Sequence, residues 1–376
     1  MRLQPTELTA SERELQEQVR AWLRERLPAG SYALGLGMSG DTDPQLSKDL
    51  GAQGWLGMAL PKEYGGHSRT AVERLIVVEE LLAVGAPVGY HWVGDRQSGP
   101  SIAKHGNEQL KREILPGIAA GEVSFAIGMS EPDSGSDLAS VRTRAEQVEG
   151  GWKVNGTKIW TSGAYEATHL LALFRTSEHK HEGLTQFVVR RDSPGLSVNR
   201  IPFIDGTRHF CELSFDDVFI PDEMRLGEVG GGWAQNTAEL VLERGGVDRW
   251  MSIAPLLEHW ASSPQARESS IAQADLGAIV ARSWAFRGMS LAVARMVDAG
   301  KSPVTEAALI KEMATRFEQE SVDTLARHYG RMPDLNSEDP HESLLARAIL
   351  VSPSWSIRGG TNEILRTVIA KGLAKR

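Results

Sequence analysis

Apolar residues recur at helical spacing along the first third of the chain. From Leu15 to Leu27 they return at every fourth position, after a serine and a glutamate at positions 11 and 14 that are typical of a capping box. Pro28 is expected to end this helix, and further helices are predicted at about 68–85, 95–105 and 107–120. The pattern predicts an N-terminal α-helical domain over residues 1–121.

The middle third changes to short runs in which apolar and polar residues alternate, as in half-buried strands. These runs are residues 123–129, 151–154, 157–160, 170–175, 184–190 and 211–215. Asn155 and Gly156 stand between two of them, and this dipeptide favours a two-residue hairpin turn. We therefore expect a central β-barrel domain over residues 122–225.

The helical period returns after the three glycines at positions 230–232. Long helices are predicted at about 233–260, 266–299, 303–330 and 341–352, with a final one from Thr361. Helices of this length and order favour a C-terminal four-helix bundle over residues 226–376. The expected fold class is thus multidomain α+β.

Composition narrows the functional classes. A formal net charge of −8 argues against a nucleic-acid-binding surface. Cys211 is the single cysteine, which excludes an intrachain disulfide and suits a reducing cytoplasm. The first ten residues lack a secretion signal, and Glu79 and Glu80 interrupt the longest apolar stretch. We expect a soluble cytoplasmic protein without a membrane span.

A strand-length apolar run ends in a polar loop at residues 130–137. Pro132 fixes one backbone angle and Gly135 adds a conformation closed to other residues, so the loop is expected to be rigid. Backbone N–H groups and serine hydroxyls at the mouth of a sheet suit a polar planar ring or a phosphate. The alternative interpretation is an ordinary turn of serine, aspartate and glycine.

Glu243 stands out among the carboxylates of the last third. In a continuous helix it shares a face with Leu240, Val247 and Trp250, and burial would tune it as a general base. The alternative is a structural salt bridge to a nearby arginine. Glu239, one turn earlier, is the second candidate.

Other chemistries lack support in the sequence. His179 and His181 lie in a charged loop without a third ligand at helical spacing, so no metal site is predicted. The chain has no dinucleotide-binding or P-loop glycine motif, and no serine stands in a nucleophile elbow. A nucleotide would have to be held by other means.

Six segments in order along the chain resemble the acyl-CoA dehydrogenase family. They are residues 50–66, 128–137 (GMSEPDSGSD), 151–162 (GWKVNGTKIWTS), 212–221, 242–244 and 359–366 (GGTNEILR). The family fold, helical domain then β-barrel then four-helix bundle, agrees with the pattern of apolar positions. The resemblance implies FAD, an acyl-CoA substrate and a place in lipid metabolism such as fatty-acid β-oxidation.

The resemblance also implies roles for individual residues. The positions matched to cofactor contacts are Met129, Ser130, Ser136, Trp160, Ser162, Arg267, Thr361 and Glu363. Many family members carry the catalytic glutamate where this chain has Gly359. Isovaleryl- and long-chain-type enzymes place it on the earlier helix before an arginine, which matches Glu243 and Arg244. Arg244 is therefore expected to contact substrate.

By the same resemblance, Glu243 would take the α-proton of the acyl thioester while the β-hydride passes to the flavin. The product would be a trans-2-enoyl thioester, and an electron-transfer flavoprotein would receive the electrons. Two rivals on this fold are a flavin oxidase or monooxygenase, and a subunit that completes a partner chain's site.

The sequence leaves two oligomeric arrangements open. The family's Arg-x-x-Phe-Gly motif, which reaches the neighbouring subunit's FAD, is reduced here to Arg267. A homodimer or homotetramer is the simpler expectation, and a hetero-oligomer of two related chains is the alternative.

Overall fold

The computed structural model describes residues 3–39 and 41–374, without the side chains of residues 39, 238–243 and 265. It forms two compact units. The helical unit combines Met1–Asp41, Thr70–Val88 and Val241–Arg376, and the β unit, which contains all the described strands, combines Thr42–Arg69 and Gly89–Leu240. The domain boundaries expected near residues 121 and 225 stay a prediction.

The described residues form helices in the first and last thirds and strands between them. The helices are α1 (Ala10–Arg26), α2 (Pro44–Ala52), α3 (Ala71–Ala83), α4 (Gly89–Val93), α5 (Gly99–His105), α6 (Glu108–Ala119), α7 (Gly232–Arg244), α8 (Ala254–Ser262), α9 (Pro264–Glu268), α10 (Ser270–Asp298), α11 (Val304–Tyr329), α12 (Pro340–Val351) and α13 (Asn362–Ala374). The strands are β1 (Phe125–Gly128), β2 (Arg144–Val148), β3 (Gly151–Ser162), β4 (His169–Arg175), β5 (Leu184–Arg190), β6 (Leu196–Ile201), β7 (Phe210–Pro221) and β8 (Arg225–Leu226).

The strands form one sheet in the order β6-β7-β3-β2-β4-β5-β8, and β1 pairs in parallel with β4. Its interior is filled by large aromatic side chains. The rings of Trp152 and Phe187 lie 5.4 Å apart, and those of Phe174 and Phe215 lie 5.2 Å apart in an edge-on contact. Each of these residues is buried, and their packed rings contribute to the apolar core of this unit.

Ion pairs between buried glutamates and arginines connect α1, α3 and the long helix α10, which all belong to the same unit. Arg295 of α10 donates to both oxygens of Glu12 at 2.6 Å, and Arg287 donates to Glu79 at 2.6 and 2.9 Å. Glu80 accepts from Arg20 at 2.8 Å. These pairs explain why an otherwise apolar helix such as α3 carries two buried glutamates: each has a cationic partner.

The first helix begins earlier than its sequence pattern suggests. Thr9, rather than the serine at position 11, is the N-cap of α1, and its hydroxyl accepts from the Glu12 N–H. Glu12 in turn accepts from the Thr9 N–H at 2.8 Å, which completes the capping box.

The hairpin predicted at Asn155 and Gly156 is wrong, because β3 continues through both residues. Asn155 exchanges two hydrogen bonds with Asp217 of β7, each of 2.9 Å. Gly156 has a φ of +140°, and an added Cβ would lie 2.7 Å from the Thr143 hydroxyl oxygen. Asn155 lies opposite two residues of β7, Asp216 and Asp217, so the dipeptide pairs with a β-bulge of that strand. The hairpin turn between β2 and β3 lies at residues 149–150.

The single long helix predicted over 233–260 is also wrong. Helix α7 ends at Arg244, before two consecutive glycines, and α8 begins only at Ala254. Val247 and Trp250 therefore do not continue the helical face that carries Glu243. The prediction that Glu243 is buried relied on an apolar helical face that included these two residues. Without them, the choice of Glu243 as the catalytic base rests on the family resemblance.

No helix in residues 3–39 and 41–374 combines the length and the apolar character needed to cross a bilayer. Over the same residues, no cluster of three or more histidine, cysteine, aspartate or glutamate side chains could ligate a metal ion.

A substitution at Gly121 tests the packing around α6. Gly121 has a φ of +72°, and an added Cβ would lie 2.1 Å from the Ser47 carbonyl oxygen. We expect Gly121→Ala to lower the free energy of unfolding by about 3 kcal/mol, from left-handed strain and overpacking together. Gly150, with a φ of +74° and no atom near its added Cβ, is the matched control. Gly150→Ala should lose only about 1 kcal/mol. Equal midpoints of the two variants in urea denaturation would contradict the close contact.

Candidate functional site

The loop after β1 is a rigid turn, as its sequence suggests. Glu131 and Ser134 exchange two backbone hydrogen bonds, of 2.8 and 3.0 Å. The Ser134 hydroxyl donates to the Asp137 carbonyl oxygen at 2.7 Å. The turn therefore keeps its shape through its own hydrogen bonds, while residues 135–137 stay exposed at its tip.

Three serine hydroxyls predicted to contact the cofactor are accessible. Ser136 and Ser162 are exposed and Ser130 is half-buried. None of the three hydroxyl groups forms a hydrogen bond with another residue in the described part of the chain. These hydroxyls are free to bind a polar ligand, which fits the cofactor role predicted for them.

Trp160 has a strained backbone. Its φ is +59°, a conformation that costs a residue with a side chain about 1–2 kcal/mol. The register of β3 against β7 shifts between Lys158 and Thr161, so a bulge contains Trp160 and turns its indole outward. The side chain is 53% exposed and rests edge-on against Phe210, with ring centroids 5.8 Å apart. Strain of this kind is often found at functional sites.

A buried ion pair lies beneath the turn. The Lys158 ammonium is fully buried and donates to the Glu131 carboxylate at 2.7 Å and to the Met129 carbonyl oxygen at 3.1 Å. Glu131 also accepts from the backbone N–H groups of Arg142 at 2.6 Å and Thr143 at 2.9 Å. Sequence reasoning missed both residues, although Glu131 stands inside the loop motif.

Burial and charge act in opposite directions on this pair. Burial lowers the pKa of Lys158 to about 8, although Glu131 favours the charged amine. Burial acts to raise the pKa of Glu131, but Lys158 and the bonds from Arg142 and Thr143 hold that pKa below its usual value. The carboxylate is the better stabilised ion of the two.

In the helical unit, Arg244 joins the end of α7 to the loop before α13. Its Nε donates to the Gly359 carbonyl oxygen at 3.1 Å, and the side chain is buried. Glu243 precedes it on the last turn of α7, and its side chain lies outside the described residues. The backbones of the two alternative positions for the catalytic glutamate, 243 and 359, are thus connected through one side chain.

The loop at residues 356–362 is held from below by Lys311. Its buried ammonium donates to Ser356 O at 3.2 Å, to Gly360 O at 2.9 Å and to Asn362 Oδ1 at 3.0 Å. Thr361 caps α13 by accepting from the Ile364 N–H at 3.4 Å. The loop therefore has a defined conformation.

Glu363 and Arg267, two further predicted cofactor contacts, are both exposed. Hydrogen bonds from its own backbone N–H and from the Thr361 side chain lower the pKa of Glu363. Arg267 lies in the short helix α9, and its guanidinium forms no hydrogen bond or ion pair with the residues the structure describes. It is accessible to a ligand or another chain.

Arg358, which precedes the glycine pair, is anchored by a carboxylate that sequence reasoning missed. Its Nη2 donates to Glu318 at 2.6 Å and to the Ser252 hydroxyl at 3.1 Å, and Glu318 also accepts from the Ser252 N–H at 2.7 Å. Glu318 is fully buried, and burial raises its pKa to about 7 although Arg358 opposes the shift.

Three family models match the chain in succession. Residues 9–122 match "Acyl-CoA dehydrogenase, N-terminal domain", residues 126–218 match the middle domain and residues 230–374 match the C-terminal domain. The acyl-CoA dehydrogenase FadE29 of Mycobacterium tuberculosis is 30% identical over 383 residues, which cover 97% of this chain and 96% of that protein. The chain belongs to the acyl-CoA dehydrogenase family.

Solved structures agree over the whole length. The "Tcur3481-Tcur3483 steroid ACAD" matches with a TM-score of 0.88 and 29% identity, covering 100% of this chain and 99% of that one. The ChsE4-ChsE5 complex of Mycobacterium tuberculosis matches with a TM-score of 0.80 and 27% identity, covering 98% of this chain and 97% of that one. A glutaryl-CoA dehydrogenase of Mycobacterium smegmatis in complex with FADH2 matches with a TM-score of 0.82 and 25% identity, covering 98% of this chain and 96% of that one.

These matches confirm the expected order of a helical N-terminal domain, a middle β domain and a helical C-terminal domain. They also identify the chain as an FAD-dependent oxidoreductase that dehydrogenates acyl-CoA thioesters, a flavoprotein of lipid β-oxidation. The individual site residues remain predictions.

Replacing Glu318 tests whether burial raises the pKa of its carboxyl group. A carboxyl with a raised folded-state pKa stabilises the fold below its unfolded pKa and loses that contribution as pH rises through about 7. From about pH 4.5 to about pH 7.5, the unfolding free energy of the wild type should fall by about 3 kcal/mol relative to that of Glu318→Gln. Urea denaturation at both pH values measures this difference. Glu320→Gln, an exposed carboxylate on the same helix, should follow the wild type. Parallel pH profiles of wild type and Glu318→Gln would contradict the assignment.

Proposed function

We propose that this chain oxidises an acyl-CoA to its trans-2-enoyl thioester with Glu243 as the base, and that an electron-transfer flavoprotein takes the electrons. The observation that supports this most directly is the bond from Arg244 to Gly359. It connects the last turn of α7 to the loop from which many relatives supply their catalytic glutamate. A carboxylate at position 243 can then take the place of one at position 359.

The residues proposed to hold FAD fit that group. In the β unit these are Met129, Ser130, Ser136, Trp160 and Ser162. The serine hydroxyls lack partners among the described residues, and Trp160 offers an exposed aromatic surface. Bound FAD supplies the hydride acceptor, which no amino-acid side chain can provide.

The helical unit supplies the remaining proposed contacts. Thr361 and Glu363 lie at the N-terminus of α13, where backbone N–H groups favour polar or anionic ligand groups. Arg267 is exposed and offers a cation to a phosphate. Arg244 remains the proposed substrate contact, and the structure adds the anchoring of Gly359.

The role proposed for Glu243 is proton abstraction at the α-carbon. A carboxylate can accept this proton when it is positioned against the carbon and shielded from water. Arg244, the next residue, is buried and fixed, and therefore limits the movement of the helix end that carries Glu243. The backbone of Glu243 would therefore also be restrained.

The proposed substrate is an acyl-CoA, and the similar structures suggest which acyl groups to compare. One of them is a "steroid ACAD" and another is a glutaryl-CoA dehydrogenase. A bulky polycyclic acyl-CoA and a short dicarboxylic acyl-CoA are therefore the two extremes to compare with straight-chain substrates.

Two alternatives remain on this fold. A flavin oxidase or monooxygenase would use O₂ instead of a protein acceptor. A hetero-oligomer is the second alternative, because one similar structure is titled a complex of ChsE4 and ChsE5. If the chain completes a partner's site, it should not retain FAD when purified alone, whereas a homo-oligomer should.

Replacement of Glu243 tests the base. We expect Glu243→Gln to retain FAD and to lose about 10³-fold in the rate of flavin bleaching by acyl-CoA, since a general base typically contributes two to four orders of magnitude. Anaerobic stopped-flow absorbance measures this rate. Glu239→Gln, on the same helix, should bleach at the wild-type rate. Loss in Glu239→Gln with normal bleaching in Glu243→Gln would transfer the role to Glu239.

A comparison of electron acceptors tests the reaction class. The flavin reduced by acyl-CoA should be reoxidised faster by electron-transfer flavoprotein than by O₂, as expected for a dehydrogenase. The preferred acyl-CoA should be the one that bleaches the flavin fastest among steroid, dicarboxylic and straight-chain thioesters. Rapid oxidation by O₂ with formation of peroxide would favour the oxidase.

A further inference from the structure

The buried ion pair beneath the turn has a geometry that points to a role beyond stability. We infer that Lys158, held by Glu131, is a positioning residue that aims the Ser130 N–H at bound flavin and so sets the affinity and the midpoint potential of the cofactor. This inference rests on the proposed contact of Met129 and Ser130 with FAD.

The first step is the peptide between Met129 and Ser130. Lys158 Nζ donates a hydrogen bond of 3.1 Å to the Met129 carbonyl oxygen from the buried face of the sheet. The structure has no cis peptide bond in its described residues, and in a trans peptide the C=O and the following N–H point in opposite directions. The Ser130 N–H must therefore point away from Lys158, toward the outside of the sheet.

The second step fixes the neighbouring peptide. The Ser130 carbonyl oxygen accepts from the Ile159 N–H at 2.9 Å, next to Lys158 on β3. Met129 and Ser130 thus both direct their carbonyl groups toward β3. The Ser130 N–H, on the opposite side of the first of these peptides, is the donor that the loop presents to a ligand.

The third step is the choice of a lysine. A buried ammonium is costly unless its partners are well placed. Lys158 has the Glu131 carboxylate at 2.7 Å and the Phe174 ring at 5.6 Å in addition to the Met129 carbonyl. An apolar side chain would fill the same space without a directional bond to Met129. The charged ammonium of Lys158 therefore provides a directional bond that orients the peptide between Met129 and Ser130.

The same pair constrains Trp160. Glu131 receives Lys158 from β3 and the N–H groups of Arg142 and Thr143 from the segment before β2. Both flavin-facing segments, residues 129–130 and residues 160–162, are thus connected through one carboxylate. The bulge that turns Trp160 outward begins directly after Lys158.

Lys158→Met tests the inference, with Lys153→Met as the control. Lys153 lies on the same strand and pairs with Asp217 at 3.2 Å, but it is exposed. Titration of apoprotein with FAD should show at least a tenfold weaker affinity for Lys158→Met and wild-type affinity for Lys153→Met. The bound flavin should have a more negative midpoint potential in Lys158→Met, because a donor to the electron-rich reduced ring is lost.

The double variant Glu131→Gln/Lys158→Met separates positioning from folding. It removes both charges, so no unpaired ion is left in the interior, and it should unfold at a temperature close to that of the wild type. FAD should still bind at least tenfold more weakly. Recovery of wild-type affinity and potential in this variant would overturn the inference, since the pair would then serve stability alone.

The pH dependence gives an independent readout. The charged groups facing Lys158 are Glu131 from the turn and Arg175 from β4. Wild-type FAD affinity should decrease as pH rises through about 8, when the amine loses its proton, and Lys158→Met should lack this step. Wild-type protein that does not bind FAD would contradict the proposed function, whereas wild-type affinity in Lys158→Met would overturn only the positioning role.

Discussion

The loop after β1 depends on one buried contact, the ion pair between Lys158 and Glu131. Two charges in an apolar interior are stable only because each has several partners, and these partners belong to three different segments of the chain. The pair thereby fixes the turn at residues 130–134 against β3. The strained residue Trp160 lies next to it, between Ile159, whose N–H donates to the Ser130 carbonyl oxygen, and Thr161, which pairs with Cys211 of β7.

Elements with a strong local pattern were predictable from the sequence. Helix α11 (Val304–Tyr329) and strand β5 (Leu184–Arg190) agree with their predicted ranges to within one residue. The errors arose where one local signal has two structural outcomes. Asn155 and Gly156 favour a tight turn, but the same dipeptide can stay in a strand opposite a bulge of its neighbour, and the pairing of Asn155 with Asp217 of β7 selects the strand. The break after Arg244 was missed because the apolar period continues through Gly245 and Gly246.

Candidate cofactor contacts could be selected from the sequence, whereas the buried residues that support them could not. Ser130, Ser136 and Trp160 were selected by family resemblance, and the structure shows them accessible. The roles of Lys158 and Glu318 depend on burial, which follows from sheet register and helix packing rather than from local sequence. A lysine in an alternating strand is expected to face solvent. Lys158, however, lies an even number of residues from Trp152 and Val154, which are both buried, so the alternation along β3 places this lysine on the interior face.

The glycine pair in the last motif bears on the position of the catalytic carboxylate. Gly359 and Gly360 have φ values of +65° and +92°, conformations that residues with side chains rarely adopt. A Cβ on Gly360 would lie 2.9 Å from Arg244 Nη2, so the buried arginine needs the space that this glycine leaves. A glutamate at position 359 would have to adopt the left-handed conformation in a loop that Lys311 holds in place. The loop, Arg244 and the absence of a carboxylate at position 359 are therefore mutually consistent, and they favour a base supplied from α7.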